Sequence, residues 1–157
     1  MKKIIIILCC ILLHPLNSFA FQPRNACSYL QSINGLSTSG YKSDGMGGYF
    51  CSSPYKLLDG KSNLAYYVEG LNNLKADKVY LVLNVYNSSN KAKAHASLLK
   101  ASKLLTIKAI NQNLNPKIAN CIVNGKSASL KQGKHIIEVK RQNWTTGLGY
   151  ELHFSIK

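Results

Sequence analysis

Between Lys78 and Ile110 the apolar period of the chain changes from two to about 3.6. The stretch KVYLVLNVYN (78–87) places Val79, Leu81, Leu83 and Val85 on one face, as a half-buried strand requires. A few residues later KAKAHASLLKASKLLTIKAINQN (91–113) aligns Ala94, Leu98, Ala101, Leu105 and Ala109 in one stripe, widened by Leu99 and Ile110. Lys93, Lys100, Lys103 and Lys108 fall on the remaining face, while Leu104 and Ile107 lie among those lysines with no clear place in the pattern. A sheet covered by a long amphipathic helix is therefore the first constraint on the fold.

The flanking segments add to it. LAYYVEG (64–70) alternates with Leu64, Tyr66 and Val68 on one side, and the short link to Lys78 suits an antiparallel pair. YFCSS can form a further short strand, and RNACSYLQSING (24–35) has helical spacing with Gly35 as C-cap. In NPKIANCIVNG, Asn115 can cap a helix, Pro116 fits its first position and Gly125 closes it. The tail HIIEVKRQNWTTGLGYELHFSI reads as a hairpin. Pairing Val139 with Leu152 sets Lys140 against Glu151 and Glu138 against His153, each pair contributing a few tenths of a kcal/mol. The expected class is α+β, an antiparallel sheet of about five strands with helices on one face, in the order α-β-β-β-α-α-β-β.

The first residues predict export. Lys2 and Lys3 precede an apolar run, Ile4 to Leu13, which is too short to span a bilayer, and Ser18-Phe19-Ala20 is a small-x-small cleavage pattern. Residues 1–20 read as a cleaved secretory signal peptide of bacterial form, and 21–157 as one α+β domain in the periplasm or outside the cell. No further apolar run reaches membrane length. The 137 residues after the leader carry 18 basic and 6 acidic side chains, net +12, and residues 91–157 alone carry 12 basic and 2 acidic. Such a surface attracts polyanions, although charge alone speaks to solubility and steering rather than to fold.

The stretches GGYFCSSPY, YYVEGLNN, LVLNVYN and TGLGYELHF together resemble an uncharacterised family of small exported bacterial proteins of unknown function. The resemblance implies export and one compact domain. It implies no activity, cofactor or catalytic residue.

In an oxidising compartment two of the three remaining cysteines should pair. Cys121 lies on an apolar helix face with Ile118 and Ile122, whereas Cys27 and Cys51 flank a Gly/Ser-rich loop that needs restraint, so Cys27–Cys51 is the expected disulfide. The loop SDGMGGYFCSSP (43–54) lacks the Gly-Lys-Ser/Thr of a phosphate loop, and Gly45, Gly47 and Gly48 have the wrong spacing for a dinucleotide fingerprint. It reads as a turn.

No two of His95, His135 and His153 stand at metal-ligand spacing, and each reads as a surface or flank histidine. No metal or cofactor is implied. Glu138 and Glu151 share a face, but each has a basic neighbour, which argues for surface pairing over paired-carboxylate catalysis. No Gly-x-Ser-x-Gly elbow is present, though a dispersed triad would leave no local signature. Tyr67, Tyr80 and Tyr86 fall on outward strand positions, where the first helix is expected to cover Tyr67 and Tyr80. Uncovered, they would form a platform for protein or sugar. Basic residues interleaved with aromatics suit single strands, but nothing matches a nucleic-acid motif, which disfavours that partner.

The chain thus reads as a non-catalytic exported protein that binds an acidic protein or an anionic envelope polymer. Lys93, Lys100, Lys103, Lys131, Lys134, Lys140 and Arg141 would carry the contact. The alternative is a small cell-envelope hydrolase with a dispersed catalytic site. Such an enzyme would need a concave pocket where a His or Cys meets an acid.

Overall fold

The computed structural model describes residues 20–58, 61–86 and 90–157. The leader read over residues 1–20 therefore lies, up to residue 19, outside the described residues, and so do Asp59 and Asn87. The elements run α1 (Pro23–Ser28), β1 (Lys42–Ser43), β2 (Tyr49–Ser52), β3 (Lys56–Leu57), β4 (Asn63–Gly70), β5 (Lys78–Tyr86), α2 (Lys91–Ile110), α3 (Pro116–Asn124), β6 (Ala128–Gln132), β7 (His135–Asn143) and β8 (Gly149–Ile156). The strands form one antiparallel sheet in the order β1-β2-β4-β5-β8-β7-β6, with β3 paired to β4. The last strand, β8, thus sits at the centre against β5, so the C-terminal hairpin joins the N-terminal strands there.

The α+β class holds, with eight strands and three helices among the described residues rather than five strands. The three extra strands carry little periodic signal. β1 and β3 have two residues each, too few to alternate. In β6, ASLKQ, Leu130 is the one large apolar residue.

Side chains alternate across the sheet. Leu64, Tyr66, Val68, Val79, Leu81, Leu83, Leu152, Phe154 and Ile156 point to the buried face. There they meet Ala94, Leu98, Ala101 and Leu105 of α2 and Ile118 and Ile122 of α3 in one core cluster. Buried polar positions on α2, His95, Ser102 and Thr106, extend that stripe beyond what the apolar residues reveal. Leu104 packs against the core and Ile107 remains exposed.

The caps of α3 form as the sequence predicts. The Asn115 side chain accepts from Lys117 N–H at 2.9 Å, and Gly125 closes the helix in the left-handed region at φ +62°. The first helix is shorter than its spacing predicts, ending at Ser28 instead of running to Gly35. Its last carbonyls are taken from outside: Tyr66 Oη donates to Ala26 O at 2.7 Å, and Thr38 Oγ1 donates to Cys27 O at 2.7 Å. The chain continues as turns with i→i−3 hydrogen bonds through Leu36.

The C-terminal hairpin has the expected faces but a register two residues away from the expected one. Val139 pairs with Phe154, Lys140 with His153 and Glu138 with Ser155. Neither expected charge pair forms. Glu138 instead accepts from Lys157 Nζ at 3.0 Å, and Glu151 lies 2.6 Å from His153 along its own strand. The turn decides the register. The expected pairing would leave Thr145-Thr146 as a two-residue loop, which needs positive φ at β-branched residues. The observed loop, Thr145 to Leu148, is bounded by Trp144 N–H donating to Gly149 O at 3.1 Å, and it places Gly147 at φ +68°.

The disulfide Cys27–Cys51 forms, with Cα atoms 6.1 Å apart, and Cys121 is free and half-buried. It ties β2 to α1 beneath the glycine loop. In that loop Asp44 Oδ1 accepts from Met46 N–H at 2.7 Å and from Gly48 N–H at 2.9 Å, which holds its carboxyl below the usual carboxylate range. The loop is a turn closed around its own carboxylate. Two of the amides a phosphate would need, those of Met46 and Gly48, are already engaged by a negative charge, and a third, Gly45 N–H, donates to Ser43 Oγ.

Candidate functional site: a basic helix layer and a cleft at the sheet end

From Lys78 to Ile137 the sequence contains no aspartate or glutamate. That stretch builds α2 and α3, so the helix layer carries seven lysines between residues 91 and 126 and no carboxylate. Among the described residues none of these lysines stands in an ion pair. Lys93, Lys100 and Lys103 are exposed, and their spacing of seven and three keeps them along one side of α2, over a length of about 15 Å.

The carboxylates lie elsewhere. Glu69, Glu138 and Glu151 occupy outward positions on the open face of the sheet, opposite the helices. Each has a basic partner: Lys78 at 3.7 Å from Glu69, Lys157 from Glu138 and His153 from Glu151. Asp77 accepts from Leu71 N–H at 3.1 Å. The described structure therefore separates charge across the sheet, with seven lysines and no carboxylate on the helices, and with all three outward glutamates paired on the open face, which also carries Lys131 and Lys140.

The seven residues proposed from sequence do not all converge. Lys131 and Lys140 take outward positions on β6 and β7, on the open face, away from Lys93, Lys100 and Lys103. Lys134 lies in the β6–β7 turn, opened by Gly133 at φ +60°. Arg141 points to the helix side, opposite Leu152, and is partly built into the fold.

Around Arg141 the sheet end forms a cleft of about 420 Å³, lined by Tyr86, Lys91, Arg141, Asn143, Trp144 and Tyr150 among others. The Arg141 guanidinium lies 3.6 Å above the Tyr150 ring. Its Nε donates to Asn143 Oδ1 at 2.8 Å, and its Nη1 donates to Gly125 O at 3.1 Å. Behind it His95 Nδ1 donates to Val123 O at 2.9 Å, and its Nε2 lies 2.6 Å from Tyr150 Oη. Burial raises the Tyr150 phenol, with Arg141 pulling the other way. A side chain at Gly125 would crowd both His95 and Arg141. Trp144 stands edge-to-face with Tyr86, centroids 4.7 Å apart, over Gly149, where a Cβ would run into its ring.

Sequence reasoning singled out Arg141 and the outward Tyr86 here and missed Lys91, Asn143, Trp144 and Tyr150. The available signal was the lone tryptophan, next to the glycine-containing hairpin turn and close to Arg141. His95 and His135 correct the expectation of surface histidines, since both are buried. His95 joins the network above, and His135 stacks on Phe21 with ring centroids 5.6 Å apart.

On the open face Tyr67 and Tyr80 stack with centroids 5.0 Å apart, and Lys78 Nζ lies 3.9 Å from the Tyr80 ring centre. The Tyr80 hydroxyl donates to Glu69. The first helix does not cover them. It packs on the opposite face, where Tyr66 reaches Ala26. A smaller cleft of about 260 Å³ beside them is lined by His153, Ser155, Glu138 and Lys140 among others. No described hydrogen bond joins Ser155 to His153. Among the described residues no three His, Cys, Asp or Glu side chains come together as a metal site, and no helix is long and apolar enough to cross a membrane. No protein-family model, curated protein or solved structure matches this chain.

Proposed function

We propose that the protein is exported and binds an anionic envelope polymer through its helix layer, with an acidic protein as the other partner of the same chemistry. The observation that carries this is the carboxylate-free helix layer, whose lysines have no ion-pair partner among the described residues. The extended line of Lys93, Lys100 and Lys103 suits a linear polyanion, and the Cys27–Cys51 disulfide fits an oxidising compartment. Lys131, Lys140 and Arg141 are secondary in this reading, because they lie away from that line.

The test is retention on heparin against a Lys93→Glu, Lys100→Glu, Lys103→Glu variant. The wild type should elute at clearly higher salt, because each contact is a screened surface charge. Equal elution would reduce the lysines to solvated surface. Polyglutamate competing better than heparin at equal charge would turn the reading toward an acidic protein.

A second reading, a small hydrolase, has one observation in its favour: His153 meets Glu151 at 2.6 Å beside a cleft that Ser155 lines. Loss of a hydrolytic activity toward envelope esters or glycans on His153→Gln would support it.

A further inference from the structure

We infer that the cleft at the sheet end is a binding site for one sugar residue that carries a carboxylate or phosphate. Its volume of about 420 Å³ falls within the range of small-molecule sites, roughly 300–1,000 Å³. Two cations, Lys91 and Arg141, line it, and its described walls contain no carboxylate. The polar groups are mainly donors. Asn143 spends its carbonyl oxygen on Arg141, which leaves its amide N–H groups to the cleft. Tyr150 Oη, 2.6 Å from His95 Nε2, stands at the edge of the cleft as a further polar group.

One of the two cations is held in advance. Arg141 is fixed by Gly125 O, Asn143 and the Tyr150 face, so little side-chain freedom is lost when an anion binds. Trp144 adds an apolar wall, supported by Tyr86 and by the space above Gly149. The two aromatics meet at 70°, so they offer one stacking face rather than the parallel slot that would sandwich a nucleobase. One aromatic face beside cationic donors suits the C–H face of a sugar ring with an acidic substituent.

This deepens the polyanion reading by naming the unit taken at one end of the helix layer, and it uses none of Lys93, Lys100 and Lys103. Trp144 is the chain's one tryptophan, so its fluorescence reports on the cleft. The probes are glucuronate and glucose 6-phosphate, with glucose and inorganic phosphate as controls, all titrated into the full chain. Both sugar acids should give a saturable change at concentrations about tenfold or more below any response to glucose. Lys91→Gln, at an exposed position, and Arg141→Gln should each weaken that response by about tenfold, with circular dichroism reporting the fold of the second. The triple lysine-to-glutamate variant should keep it. The inference is overturned if neither sugar acid gives a saturable change, if glucose matches them, if inorganic phosphate alone reproduces the response at the same concentration, or if Lys91→Gln binds as the wild type does. Lost heparin discrimination with an intact fluorescence response would remove the surface reading and leave the cleft standing, and the converse would remove the cleft alone.

Discussion

The Tyr66 hydroxyl donates to the Ala26 carbonyl oxygen at 2.7 Å inside the core, where both residues are fully buried. The bond fixes α1 to the middle of β4 and ends the helix early. Burial pushes the phenol well above its ordinary pKa, so it stays a donor throughout the working range. Tyr66→Phe should cost about 1–2 kcal/mol, since it leaves a buried acceptor under-satisfied at nearly constant volume. Urea denaturation measures it, and an unchanged midpoint would mean that the bond contributes nothing net.

Reducing the Cys27–Cys51 bond frees a loop with a sequence separation of 24. The chain-entropy account puts its contribution at roughly 3 kcal/mol. Thermal unfolding with and without dithiothreitol should show the corresponding drop, and Cys51→Ser should match the reduced wild type. Non-reduced mass mapping should leave one alkylatable thiol after residue 20, at Cys121.

Gly147 sits at φ +68° with open space where a Cβ would stand. Gly147→Ala should therefore cost about 1–2 kcal/mol from backbone strain alone, free of any steric clash. The measurement is equilibrium denaturation, and a neutral result would show that the turn relaxes to another loop type.

His135 is buried against Phe21, and desolvation lowers its pKa, opposed by the Lys157 backbone and reinforced by Lys134. The unfolded chain then binds the proton more readily than the folded one. Stability from this group is present above the unfolded value, about 6.5, and is lost as pH falls from there through the lower folded value. His135→Gln should flatten that part of the stability profile between neutral and mildly acid pH. A mutant profile parallel to the wild type would assign the slope to other groups.

The long elements were legible because period and caps agree. Val79 to Val85, the α2 stripe and the Asn115–Pro116–Gly125 frame each carry several consistent signals. The hairpin register was not, because a shift of two residues returns every side chain to the same face. Only the conformational demand at Thr145, Thr146 and Gly147 separates the two pairings. The disulfide was legible from the apolar setting of Cys121, and the end of α1 was not, because Tyr66 and Thr38 act on it from distant positions. Of the cleft, Arg141 and Tyr86 alone stood out. Lys91, Trp144 and Tyr150 meet them through the pairing of β5, β7 and β8, which no local pattern encodes.

The separation of charge across the sheet gives the molecule an electric dipole moment with its positive pole at the helices. A body with such a moment feels a torque before it feels a contact. In the field of a polyanion it turns helices-first, presenting Lys93, Lys100 and Lys103 and leaving Tyr67 and Tyr80 on the trailing side. The orienting range is set by the screening length, about 8 Å at physiological ionic strength and about 30 Å at 0.01 M. In dilute salt this pre-alignment raises the share of encounters with any anionic body that begin helices-first, and at physiological ionic strength it acts only over the last molecular layer of approach.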